Sequence, residues 1–414
     1  MDARAALTAL LVATLVLAGC VAPGTAPAGR SAPTVEVRNA SGATVGTTIP
    51  TGGNASVDPG VVFSDLESML GTDVRPPDYV VVLDDLSGPG GNLSGQPSRV
   101  WRLMDVRTRA PNRSIGHSEN GATSILGHVT VYPGENRTER SVRWVLAHEL
   151  VHYIQLHENR WEQVRNATDL ETTDGQFAYR AMLEGPAVWG TDAYLRRYAP
   201  SLALTEPFYD ELISVAPPGS HNRYGHRAYA FGNDYVEARV DDPRNLSTVF
   251  ADPARTSEQV LHGLDPAAEP PVELRVHAHG SDAWAPVGRD RMGEAFLWSA
   301  LASNVSVDRA RRAAAGWGND SLRIYGPSGD GPNSLAWALR FDNESEAAEF
   351  GRVARDYFDH AGTAAGEHWR IDGGAAALRQ VDGRTYVLLL GDPGFVTGTA
   401  VSAADGVTID PPGA

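Results

Sequence analysis

Lysine is absent from this chain of 414 residues. All 35 basic side chains are arginine, set against 51 acids, and the formal net charge is −16. That balance argues against nucleic acid as a partner, because phosphate binding draws on an excess of basic side chains. An acidic surface without lysine suits solubility at high salt, where screening relieves self-repulsion; a GC-rich genome would also favour arginine. There is one cysteine, Cys20, so no disulfide can form within the chain. Apolar runs long enough to span a bilayer are missing too, since spanning takes about 20 residues.

The N-terminus reads as an export signal. Arg4 precedes the apolar stretch from Ala5 to Leu17, which closes on Leu17-Ala-Gly-Cys20. A core this short is a signal peptide rather than a membrane span. Leu-Ala-Gly-Cys resembles the lipobox of lipoproteins, which implies cleavage before Cys20 and a lipid on that residue. Residues 21–60 are rich in Ala, Pro, Gly, Ser and Thr and read as a flexible tether. Ten of the 15 asparagines begin Asn-x-Ser/Thr: Asn39, Asn54, Asn92, Asn112, Asn136, Asn166, Asn245, Asn304, Asn319 and Asn343. Chance would supply roughly two or three, so the excess points to an N-glycosylated surface protein. The expected location is the extracellular face of a cell membrane, held there by lipid.

The chemistry centres on His148-Glu-Leu-Val-His152. Two imidazoles four residues apart share one face of a helix, one turn from each other. That spacing suits two ligands of one Zn²⁺, with Glu149 beside them as general base. The flanking run 141–155 has no Gly or Pro, its apolar residues fall at helical spacing, and Thr138 is placed to cap it. The competing reading is a buried helix with two satisfied histidines. A catalytic zinc needs a third protein ligand and an open position. A histidine six residues after His152 is ruled out, because Gln155 and Glu158 stand where Gly and His would be required. Asp192, in Gly190-Thr-Asp192, is one acidic candidate. Glu184 is the better one: it follows His152 by 32 residues, enough for a loop and a returning helix, and Gly185 and Ala187 would let that helix pack close to the first. Pro186 is awkward inside a helix, which should begin or kink near Glu184.

His148-Glu-Leu-Val-His-Tyr-Ile-Gln155 followed by Met182-Leu-Glu-Gly-Pro-Ala187 resembles the gluzincin metallopeptidases, and more narrowly a group of secreted and surface lipoproteins of haloarchaea and bacteria. Tyr229-Ala-Phe-Gly-Asn-Asp-Tyr-Val236, Pro253 to His262 and Gly316-Trp-Gly-Asn-Asp320 resemble further segments of that group, so the likeness spans about residues 75–355. It implies a zinc peptidase with His148, His152 and Glu184 as ligands. Many gluzincins carry an acid about one turn after the ligand Glu. Ala187 and Val188 stand there instead, which leaves the residue orienting the histidines unassigned. In zincin-like folds the strand before the zinc helix tends to border the cleft, so the strand expected at 124–132 could pair with an extended peptide.

These readings predict an α+β chain: a zincin-like metallopeptidase domain over 61–270, a smaller α+β module over 271–400 beyond the Pro-rich break at 267–271, and a loose tail over 401–414. Helices are expected over 61–72, 141–155, 175–198, 256–262, 289–303 and 343–358. Strands are expected over 79–83, 124–132, 322–325, 335–341 and 386–390. His277-Ala-His279 is read as a polar loop. The expected reaction is hydrolysis of a peptide bond by zinc-activated water, with Glu149 moving the proton. His262 and Tyr229 are the leading candidates for donor to the oxyanion, ahead of Tyr235, His221 and His226. The rival functional reading is a non-catalytic, zinc-stabilised surface binding or adhesion lipoprotein on the same scaffold, or a capture lipoprotein whose C-terminal module does the work. Substrate, endo- or exo-action and oligomeric state are not encoded legibly.

Overall fold

A computed structural model describes residues 47–53, 55–83, 98–112, 120–124, 126–134, 138–403 and 405–413, and every structural statement below concerns these. The signal peptide, Cys20, most of the tether, and Asn39, Asn54, Asn92 and Asn136 lie outside them. The chain is α+β. None of the described helices is long and apolar enough to cross a membrane.

The first sheet holds β1 (Thr51–Gly52), β2 (Val80–Val82), β3 (Asn120–Thr123) and β4 (Val129–Tyr132), in the order β1-β2-β4-β3. The β1/β2 and β2/β4 pairs are parallel, and β3 runs antiparallel along the edge. The single strand expected over 124–132 is instead the second arm of a hairpin. Gly127 takes φ of 76° and donates its N–H to the Ser124 carbonyl. A positive φ of this kind costs glycine nothing. Among the described strands β3 is therefore at the edge of this sheet, beside Glu149, while β4 is paired on both sides.

Helix Glu139–His157 lies across β3 and β4. Thr138 and Ser141 cap its start reciprocally, each side chain accepting from the other's backbone N–H. Helix Thr173–Tyr198 returns beside it as one unbroken element, with Pro186 inside. The helix runs through Pro186 rather than beginning near Glu184, and tertiary contacts support it there. One of them is the Gln155 side-chain amide, which donates to the Leu183 carbonyl.

The smallness of Gly185 serves a different neighbour from the one expected. A Cβ there would stand 2.1 Å from the carbonyl carbon of Gly232 on helix His221–Glu237. Gly190 is the residue that faces the zinc-motif helix, against Val151. Backbone-to-backbone approach at Gly185 and Gly232 thus sets the crossing of the 173–198 and 221–237 helices.

The remaining strands are β5 (Val276–Ala278), β6 (Trp284–Asp290), β7 (Trp317–Pro327), β8 (Ser334–Phe341), β9 (Gly362–Ala364), β10 (Trp369–Ile371), β11 (Gly374–Asp382), β12 (Thr385–Gly391), β13 (Ala400–Ala403) and β14 (Val407–Asp410). Seven of them form an antiparallel sheet in the order β6-β7-β8-β12-β11-β10-β9. Along β8, Leu335, Trp337, Leu339 and Phe341 join the core under helix Glu344–Ala361, while Ala336 and Ala338 join the core on the other face. Burial of both faces explains the unbroken apolar run.

Three expectations fail here. Arg289 and Asp290 belong to β6, and the helix expected from 289 covers only Gly293–Leu301. The tail over 401–414 is ordered: β14 pairs with β13 and runs parallel to β5, burying Val407 and Ile409. His277 therefore sits on a strand, and His279, just past its end, is bonded to Asp410. Side chains from both sides of residue 270 share cores. Helix Gly293–Leu301 contributes to the core containing Trp337 and, through Ala295, to the one containing Tyr235. Asp174, fully buried, accepts from Ser257 and Arg291 and stitches the halves together.

Candidate metal centre

His148 and His152 project from one face of helix Glu139–His157, and Glu184 meets them from helix Thr173–Tyr198. The two Nε2 atoms stand 3.2 Å apart, and Glu184 Oε2 lies 3.3 Å from His148 Nε2 and 3.1 Å from His152 Nε2. No other such cluster occurs among the described residues. Tetrahedral zinc with bonds of about 2.0–2.1 Å spaces its ligand atoms by about 3.3 Å. Two imidazole nitrogens turned toward each other and toward one carboxylate oxygen form the donor set of a cation site, so the residues fit the ion.

Charge leads to the same conclusion. Glu149 and Glu184 are both buried beside the histidines. Burial opposes charge on all three groups. Even so, Glu184 is held well below the usual carboxylate range by His152 and His148, and His152 is lifted to about 9 by Glu184 and Glu149. The surroundings of this spot favour a positive charge. Burial pushes Glu149 up, against the pull of His152 and His148.

The outer contacts are specific. Gln155 Oε1 lies 2.9 Å from His152 Nδ1. An Nδ1–H donated to this oxygen leaves the Nε2 lone pair facing the site, the tautomer a metal requires. Trp161 Nε1 also donates to Gln155 Oε1, at 3.3 Å. Glu149 is positioned by β3: Thr123 Oγ1 donates to its Oε2 at 2.9 Å and to its backbone carbonyl at 2.8 Å. Gly121 presses on the same carboxylate, since a Cβ there would stand 2.5 Å from Glu149 Oε1.

Tyr229 is at the site, in a role other than the one expected. Its hydroxyl donates to Glu184 Oε1 at 3.0 Å and accepts from Arg180 Nη2 at 3.2 Å. With its proton directed at Oε1, the hydroxyl positions the Glu184 carboxylate in this arrangement. Tyr209 stacks on its ring at 4.6 Å. His262 belongs elsewhere: its Nε2 lies 2.9 Å from both carboxylate oxygens of Glu294. Tyr235 is a core residue under Arg239. Asp192, the rival ligand, accepts from the Thr205 and Glu206 backbone N–H groups and from the Thr205 hydroxyl, capping helix Glu206–Val215. Gln155 was visible as part of the motif likeness. Its spacing of three from His152, on the same helix face, was the signal that it could orient that ring.

Among the sequons, Asn112, Asn166, Asn245 and Asn343 are exposed. Asn304 and Asn319 are half-buried. Asn319 donates its Nδ2, the atom a glycan would occupy, to the Val272 carbonyl at 2.7 Å. Asp320, of the Gly-Trp-Gly-Asn-Asp segment, accepts from Met292 N, Gly293 N and the indoles of Trp317 and Trp337, a structural assignment for that motif.

Residues 284–402, well under half of the chain, match the family described as "Domain of unknown function (DUF8575)". That match begins with β6 and ends in β13. No curated protein matches the chain, and no solved structure does.

Proposed function

We propose that this chain is a zinc-dependent metallopeptidase of gluzincin type on a zincin-like scaffold, anchored to the outer face of a membrane through lipid on Cys20 and N-glycosylated at its exposed sequons. The observation that carries the reading is the convergence of His148 Nε2, His152 Nε2 and Glu184 Oε2 within 3.1–3.3 Å of one another, with buried Glu149 beside them.

A bound zinc would supply Lewis acidity and bring the pKa of a coordinated water close to neutral. Glu149 takes a proton from the attacking water and returns it to the leaving amine. Burial favours that exchange by raising its basicity. Thr123 and Gly121 keep the carboxylate in one orientation, so its proton-accepting oxygen does not wander between turnovers. The β3 edge, antiparallel to the rest of its sheet, can accept an extended peptide through main-chain hydrogen bonds.

The test is zinc content and hydrolysis of a broad peptide library by the full chain and by Glu149→Gln. The expected outcome is one zinc per chain in both, with turnover in the variant lower by about 10²–10⁴-fold. Equal turnover would refute the mechanism. One zinc with no hydrolysis in the parent would favour the binding-lipoprotein reading, and a folded chain that takes up no zinc would refute both.

A further inference from the structure

Arg180 and Glu184 stand one turn apart on helix Thr173–Tyr198, on the same face. Tyr229, on helix His221–Glu237, reaches both of them. Arg180 Nη2 is 3.2 Å from the Tyr229 hydroxyl oxygen, and that oxygen is 3.0 Å from Glu184 Oε1. The other carboxylate oxygen, Oε2, is the one that faces both histidines. The Arg180 guanidinium carbon also lies 5.1 Å from the centroid of the Tyr229 ring, within cation–π reach. The two helices are brought this close by the crossing at Gly185 and Gly232, where neither position has room for a Cβ.

Chemistry fixes the order of this chain. A guanidinium donates and never accepts, and an ionised carboxylate accepts and never donates. The phenol between them does both, but it has one proton, which turns to whichever acceptor suits it. An Arg180 N–H on the hydroxyl oxygen offers that proton no acceptor and leaves it for Glu184 Oε1. Arginine stays protonated in proteins, so the arrangement does not titrate away. A hydrogen bond from a charged donor is about twice as strong as a neutral one, and bonds in series polarise one another. The charge is felt along this helix face: burial and then Arg180 push His221 and His226 below their ordinary range, His226 to about 4.

We propose that Arg180 is a positioning residue of the metal centre. It directs the Tyr229 hydroxyl proton at Glu184 Oε1, and so keeps that oxygen occupied while Oε2 is turned to His148 and His152. Arg180 acts through Tyr229 and touches none of the three metal-facing atoms. The inference rests on the metal-binding part of the proposed function and requires no peptidase activity. It also separates side chains by what they offer the hydroxyl. Lysine, a donor without an acceptor, can stand in for arginine at position 180. Glutamine brings an amide oxygen that draws the proton away from Oε1.

The experiment measures zinc affinity of the full chain by competition with a chromophoric chelator. Beside the parent stand Arg180→Met, Arg180→Lys, Tyr229→Phe and the Arg180→Met/Tyr229→Phe double variant, each checked for folding by circular dichroism. Arg180→Met should bind zinc about tenfold more weakly, the lower end of the cost of losing an outer partner of a metal ligand. Arg180→Lys should recover most of that loss. In the Tyr229→Phe background, Arg180→Met should change the affinity by less than about twofold, because the group it acts through is gone. If Arg180→Met does not fold, Arg180→Gln takes its place and should show the same loss. An affinity equal to the parent's, or a loss that adds in full to that of Tyr229→Phe, would overturn the proposal and leave the zinc site standing. A folded parent that takes up no zinc would overturn both.

Discussion

Gln155 holds His152 from behind, its Oε1 2.9 Å from His152 Nδ1. The same side chain donates from Nε2 to the carbonyl of Leu183, the residue before the ligand Glu184. One amide therefore orients one candidate ligand and ties down the helix that supplies another.

Replacing Gln155 by Leu should leave the fold intact and weaken zinc binding by about 10–100-fold, the usual cost of losing a partner of a metal-bound histidine. Competition with a chromophoric chelator would measure it. Unchanged affinity would show that His152 is oriented by something else.

Tyr229→Phe separates two roles. If the hydroxyl positions Glu184, the variant should bind zinc about tenfold or more weakly and recover most of its turnover once zinc is saturating. A fall in kcat of about 100-fold or more that persists at saturating zinc would restore Tyr229 as an oxyanion donor.

The crossing at Gly185 and Gly232 has no room for a methyl group. A Cβ on Gly232 would stand 2.5 Å from the Ala181 carbonyl oxygen. Gly232→Ala should destabilise the chain by about 1–3 kcal/mol through overpacking and, by parting the helices, reproduce the zinc defect of Tyr229→Phe. Chemical denaturation and zinc titration of the same sample would test both. A variant as stable as the parent would mean that the crossing is soft.

Glu258 gives a pH prediction away from the metal. It is 5% exposed, and burial, reinforced by Glu294, Asp342, Glu269 and Asp174, pushes its carboxyl up to about 9. Between the ordinary Glu range and about 9, the folded chain holds a proton that the unfolded chain has released. Stability contributed by this group is therefore complete below the ordinary range and lost as pH rises toward 9. Glu258→Gln should match the parent near pH 4.5 and exceed its melting temperature by about 2–4 °C at pH 8. A difference that stays constant across pH would refute it.

Much of the site was legible because it is local. His148, Glu149 and His152 lie within two turns of one helix, and Thr138 announces where that helix begins. Glu184 was preferred over Asp192 on its spacing and on the small residues after it, which do not by themselves separate the two. What separates them is that Asp192 is occupied by Thr205 and Glu206. The opposite error came from treating polar or Gly-rich stretches as loose. His277 and much of the tail beyond Ala400 form strands, because alternating Val407 and Ile409 find a face to bury.

By itself, then, the sequence determined the elements whose cause lies within a few residues: the helix caps, His148 and His152 with Glu149 between them on one helix, and the apolar strands of the C-terminal sheet. Only the tertiary structure decided which carboxylate joins the two histidines in the candidate metal site, that Gln155 and Tyr229 contact that group, and that His262 serves Glu294 instead. Those outcomes depend on contacts between segments 28 to 45 residues apart. Periodicity and capping act over a single turn and carry no information at that range.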